Sequence, residues 1–298
     1  MMTLPNLFII GAPKCGTTSL YRWLGDHPDV QTAALKETGF FADKESHIYN
    51  PERHIDGGLE GLAALYPRGD RAKKIRLEAT PAHIYSATAL AHIPHLPNAP
   101  KCLFVLREPA AQIHSLFTYF QHSWGQLPHG LRFSAFVERI CDASQPKPVP
   151  GNELLGNAVA NARYVDWLRL WRAQLGADRM RAISLEDLKK HPSGTLHAIA
   201  DWVGIAPAFY DSYPFAPENR SYVTRNEHLK HAAIRLRSHL PRGPLYDAAR
   251  WLYRRMNTDA AALCPDDGAL VRLRREFVTA NQALALEFGI TFAQGEGQ

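Results

Sequence analysis

Nine residues near the start of the chain, GAPKCGTTS at positions 11–19, place two glycines, one lysine and three hydroxyls between an apolar run and a helical pattern. Gly11 and Gly16 permit a tight backbone path that turns successive N–H groups inward, and the start of the following helix adds partial positive charge. Such a cradle suits a phosphate. A loop of the type GxxxxGK[ST] would put lysine at residue 17, in reach of terminal phosphates, and a hydroxyl at residue 18 for magnesium. Here residue 17 is threonine, and the cation of the loop is Lys14. One positive charge beside Thr17, Thr18 and backbone donors fits a phosphate leaving group without requiring a metal, and favours transfer of a group less charged than phosphoryl, such as sulfuryl.

The stretch IIGAPKCGTTSLYRWLGDHPDV resembles the 5′-phosphosulfate loop of sulfotransferases that use 3′-phosphoadenosine 5′-phosphosulfate (PAPS), in particular the heparan-sulfate type and related bacterial carbohydrate enzymes. A second stretch, KCLFVLREPAAQIHSLFTYF, resembles their 3′-phosphate motif, a strand ending in arginine with a serine eight residues on. The resemblance implies that Lys14, Cys15, Gly16, Thr17 and Thr18 hold the 5′-phosphosulfate and that Arg107 and Ser115 grip the 3′-phosphate. The chemistry agrees, since an arginine at a strand's carboxyl end offers a charged fork and the next helix a hydroxyl. The family often carries a further arginine five residues after the first; Gln112 stands there and predicts a weaker hold on that phosphate.

Transfer to a hydroxyl also needs a base, with donor and acceptor held in line. KETGFFAD at 36–43 resembles the family's segment in which a glutamate precedes two aromatic residues, and by that match Glu37 is the catalytic glutamate, with Phe40 and Phe41 the pair. A carboxylate near apolar rings would have its pKa raised, which suits a base. In LEATPAHIY at 77–85 the family usually has lysine before Thr-Pro, where Ala79 stands, and an aromatic residue at His83. Imidazole titrates near neutrality, so His83 is the rival base or a partner of Glu37. The loss of that lysine leaves Lys14 alone at the leaving group or calls for another cation. Glu186 and Asp187 read as a cap or turn pair.

The elements that must position these residues are legible as well. The apolar runs 7–10, 75–78, 102–106 and 180–185 have the length of strands buried on both faces, with helical patterns between them. The class expected is α/β, a P-loop-like three-layer α/β/α sandwich with a mainly parallel central sheet. Helices are expected over 18–24 and 109–120, with one long helix over 158–175. Residues 121–157 contain QPKPVPGN, which reads as a Pro-rich turn or flexible loop bordering a substrate cleft.

At 298 residues the chain is read as one domain over 1–298, with 206–265 a variable, basic helical insertion or cap. Positions 220–257 carry nine Lys or Arg against two acidic residues, and LYDAARWLYRRM at 245–256 patterns as a basic amphipathic helix: a solvated surface helix, or one contacting an anion or a membrane surface. The composition is ordinary for a globular protein, 46% hydrophobic and 21% charged, with net charge +5. Four scattered cysteines form no CxxC pair, and neither a zinc site nor a disulfide framework is expected. The amino-terminal run is too short for a signal peptide and no membrane-length apolar stretch occurs, so a cytoplasmic location is expected.

These readings converge on a sulfotransferase moving a sulfuryl group from PAPS, without a metal, to a hydroxyl or amine of a glycan, glycolipid or small-molecule acceptor. No nucleic-acid partner is expected. A P-loop kinase or NTPase would need lysine at residue 17 and a magnesium-coordinating acid at a strand end. A noncatalytic nucleotide- or polyanion-binding protein built on 220–257 is the third reading.

Overall fold

The computed structural model describes residues 4–66, 72–142, 144, 149, 152–216, 222–224, 258–260 and 267–292. Five strands, β1 (Leu7–Gly11), β2 (Val30–Thr32), β3 (Ile75–Ala79), β4 (Lys101–Leu106) and β5 (Met180–Ser184), form one parallel sheet in the order β2-β3-β1-β4-β5. Every residue of β1 is buried, as an apolar strand covered by helices on both faces must be. The expected α/β fold with a mainly parallel central sheet is therefore what the chain forms. A second, two-stranded antiparallel sheet pairs β6 (Tyr222–Thr224) with β7 (Thr258–Ala260).

The four predicted strands appear within a residue or two of their expected bounds. The short edge strand β2 carries too few residues for a period-two signal and was not expected. Leu185 belongs to the helix that follows β5: Ser184 Oγ accepts from the Asp187 backbone N–H and donates to the Asp187 carboxylate, a cap with its reciprocal acid.

Two helical expectations are corrected. The expected single helix over 158–175 is two, Ala158–Asn161 and Tyr164–Leu175, because Ala158 and Ala162 pack into one apolar cluster while Tyr164, Val165 and Leu168 pack into the main one against the sheet. A straight helix could not serve both. The expected helix 109–120 is α-helical from Pro109 to Thr118 and continues as a π turn over Tyr119–Ser123. Before QPKPVPGN, Phe133–Cys141 forms an amphipathic helix, not expected from sequence, that buries Phe133, Phe136 and Val137.

The main core fixes the site's scaffold. Trp171 is fully buried, and its indole N–H donates to the Ile84 carbonyl at 3.0 Å, tying the Tyr164–Leu175 helix to the turn that follows β3. Burying a side chain of this size stabilises by about 3 kcal/mol or more. The proposed helix over 245–256, and most of 206–265 and of QPKPVPGN, lie outside the described residues. Among the described residues no helix is long and apolar enough to cross a membrane.

Candidate active site

The carboxyl edge of the parallel sheet gathers the predicted residues. β1 runs into the 12–16 loop, and the helix Thr17–Gly25 starts at Gly16, whose φ of 82° is left-handed. A Cβ at Gly16 would sit 2.5 Å from Leu185 Cδ1, so the position admits glycine on two counts. The first N–H groups of that helix have no partner within it and point past the loop, where they are suited to an anion. Thr17 is buried and Thr18 half-buried at this mouth.

Lys14, with φ 65°, lies half-buried on the loop, its ammonium 3.8 Å from the centroid of the Tyr119 ring. The π turn that ends the 109–118 helix is what brings Tyr119 there. Burial pushes the Lys14 ammonium down to about 8; the Glu37 carboxylate opposes that shift and the Arg107 guanidinium adds to it. Arg107, just beyond β4, donates from Nη1 to the Lys14 carbonyl at 3.5 Å. Two cations are thus brought to one loop.

Cys15 faces the other way. Its thiol is fully buried, 3.8 Å from the Tyr164 hydroxyl, and burial pushes it up to about 12. Its backbone N–H donates to the Ala12 carbonyl at 3.3 Å, closing the turn of the loop. Ser115 is buried on the helix Pro109–Thr118, three residues on from Gln112 and so on the same helical face. Gln112 Nε2 donates to the Pro13 carbonyl at 3.0 Å, which turns that face toward the loop.

Glu37 also has a left-handed φ, 62°, and its backbone N–H donates to the Ala79 carbonyl at the end of β3. Phe40 and Phe41 are buried, but the Glu37 side chain is 53% exposed and ion-paired with Lys36 at 2.5 Å. The enclosure by apolar rings expected from sequence is not formed. Lys36 supplies a cation on the loop bonded to Ala79, the position where the resemblance lacked one.

His83 is 0% exposed, and neither ring nitrogen is hydrogen-bonded; burial lowers it to about 3, so the ring is neutral. Its Nδ1 lies 3.8 Å from Glu78 Oε2. Glu78 is a residue that sequence reasoning missed. Fully buried at the end of β3, it accepts through Oε1 from the hydroxyls of Thr80 at 2.6 Å and Thr38 at 2.9 Å, and burial pushes its carboxyl up to about 7. Thr38 adjoins Glu37, so Glu78 anchors the loop that carries it. The available signal was one acid inside the apolar run IRLEA.

Among the described residues no His, Cys, Asp and Glu side chains group as a metal site would require. Glu186 accepts from the Glu108 backbone N–H at 3.4 Å, a bridge between the ends of β4 and β5.

The fold and this edge define an α/β protein with a loop-and-helix anion seat and two converging cations. The chain belongs to the sulfotransferase domain family, which matches residues 4–230. Heparan sulfate glucosamine 3-O-sulfotransferase 3B1 of Homo sapiens is 25% identical over 221 residues, 74% of this chain and 51% of that protein. The bifunctional heparan sulfate N-deacetylase/N-sulfotransferase 1 of Caenorhabditis elegans is 21% identical over 211 residues, 71% of this chain and 23% of that protein. The chain thus spans about half or less of the length of these curated relatives. A solved sulfotransferase from Alicyclobacillus acidocaldarius shares the fold, with a TM-score of 0.54 and 20% identity over 85% of this chain and 96% of that one.

Proposed function

We propose that the chain transfers a sulfuryl group from PAPS to a hydroxyl of a carbohydrate or glycolipid acceptor. The observation that carries this reading is the approach of Arg107 to the Lys14 loop beside a helix start, because like charges brought together at a half-buried site favour a multiply charged anion. The residues fit that nucleotide: the left-handed Gly16 turns the loop into a helix start, and Lys14 and Arg107 bring two positive charges to that loop. When bound, PAPS supplies a sulfuryl group on a phosphate leaving group.

The backbone of Gly16 to Thr18 and the hydroxyls of Thr17 and Thr18 hold the 5′-phosphate, with Lys14 placing its charge against the leaving oxygen. Arg107 and Ser115 hold the 3′-phosphate, and Gln112 braces the loop instead of adding a third cation. Glu37 takes the acceptor's hydroxyl proton on a carboxylate oxygen. The sealed, neutral ring of His83 favours Glu37 over the imidazole for that role. The names of the relatives point to a glycan acceptor.

The test is calorimetry with adenosine 3′,5′-bisphosphate in EDTA, followed by transfer of labelled sulfuryl from PAPS to a glycan and glycolipid panel. Binding with turnover supports the reading. Binding without turnover in any arm, or tighter binding of ATP with magnesium, contradicts it.

A further inference from the structure

Beside this edge lies a pocket of about 310 Å³, at the small end of the range for organic ligands. One wall is the segment after Phe41, with Asp43, Glu45 and His47. The other is formed by Glu153, Asn157 and Asn161, with Trp167 of the Tyr164–Leu175 helix.

His47 links the pocket to the transfer site. Its ring packs edge-on against Phe120 at 6.0 Å and Trp124 at 6.3 Å, the cluster that continues to Tyr119 under Lys14, and the charge of Glu37 acts on it. The fully buried His83 sits in the pocket's wall with neither ring nitrogen hydrogen-bonded.

Three carboxylates face this space, and among the described lining residues there is no lysine or arginine. Asp43 accepts from the backbone N–H groups of Ala87 and Thr88 and from Ser86, which fixes its charge in place. Glu153 accepts from the Asn157 amide at 2.7 Å. Burial lowers His47, so among the described lining residues no side chain offsets the negative field at neutral pH. Carboxylates and amides bond sugar hydroxyls, and the Trp167 ring, edge-on to Tyr85 at 5.3 Å, gives an apolar face. A sulfate or uronate placed in this pocket would meet like charge, which selects against it.

We propose that this pocket seats an uncharged sugar, free or as a lipid headgroup, as the acceptor and excludes sulfated or uronate-bearing chains. The proposal rests on the sulfuryl-transfer reading and narrows its substrate class, away from the polyanion in the names of the relatives.

The experiment measures kcat/KM with labelled PAPS for neutral glucose-, galactose- and N-acetylglucosamine-based oligosaccharides, free and lipid-linked, against sulfated heparan oligosaccharides of equal length. Adenosine 3′,5′-bisphosphate binding is measured on the same preparations. A neutral acceptor preferred by at least tenfold, with Glu45→Lys shrinking that ratio at unchanged bisphosphate affinity, is the expected result; the free and lipid-linked arms tell the source. Preference for sulfated chains, a ratio unmoved by Glu45→Lys, or bisphosphate binding with no sugar accepted overturns the acceptor assignment. Loss of bisphosphate binding in the parent protein overturns the sulfotransferase reading, and this assignment with it.

Discussion

Lys36 holds Glu37: its ammonium lies 2.5 Å from Oε1, on a loop whose backbone is bonded to Ala79 of β3. With Glu37 half-exposed, an ion pair of this kind contributes under about 1 kcal/mol to stability. Lys36→Met is therefore expected to leave thermal unfolding nearly unmoved. Glu37→Gln is expected to lower kcat by on the order of 10²- to 10⁴-fold, the worth of a positioned base, while bisphosphate affinity stays unchanged. Thermal unfolding of Lys36→Met checks the first, steady-state kinetics with bisphosphate titration of Glu37→Gln the second, and a Glu37→Gln enzyme with full kcat would remove Glu37 from the mechanism.

Lys14 titrates where an assay can see it. Burial places it near 8, so the free loop is charged below that pH and loses its charge above it. A bound anion favours the charged form, so affinity for adenosine 3′,5′-bisphosphate is expected to fall as pH rises past about 8, by up to about tenfold per pH unit. Lys14→Met should bind weakly and without that slope. The measurement is calorimetry from pH 6.5 to 9.5.

Glu78 sets a different pH dependence, in stability. Its folded carboxyl is raised from 4.5 to about 7, so the folded chain holds a proton that the unfolded chain releases. Stability from this group is fully present below about 4.5 and is lost as pH rises through about 7. Glu78→Gln keeps an acceptor for Thr38 and Thr80 but cannot ionise. Its stability relative to the parent is expected to rise between about pH 6.5 and 8 by on the order of 1–2 kcal/mol. Denaturant titrations at the two pH values test this; a difference independent of pH would contradict it. His83, lowered by burial, acts in the opposite sense as pH falls below about 6.5, and because its ring lies 3.8 Å from Glu78 the comparison is read above that pH, where the imidazole is neutral in both states.

Gly16→Ala is expected to cost about 1–3 kcal/mol, because φ is 82° and the new Cβ would strike Leu185. Combining it with Leu185→Ala relieves the clash but not the backbone strain, so bisphosphate binding should recover only in part. Calorimetry on the double variant reads this directly.

Much of this edge was legible because glycine spacing and strand-end charge are local signals. GAPKCGTTS and the Arg107 motif were visible in sequence, and the structure places Lys14, Thr17, Thr18, Arg107 and Glu37 around one sheet edge. What escaped depends on tertiary contacts. The inward turn of Cys15 is set by Tyr164, 149 positions away. The exposure of Glu37 follows from a left-handed loop, and the role of Glu78 from two threonines converging on one oxygen. The break between Asn161 and Tyr164 was hidden because both flanking segments keep helical spacing while serving different apolar clusters.

The most direct measurement is calorimetric titration of adenosine 3′,5′-bisphosphate in EDTA into the parent protein and Arg107→Ala. The account predicts metal-independent binding by the parent, weakened at least tenfold in the variant. Equal affinity in the two proteins, or binding only with added magnesium, would contradict it.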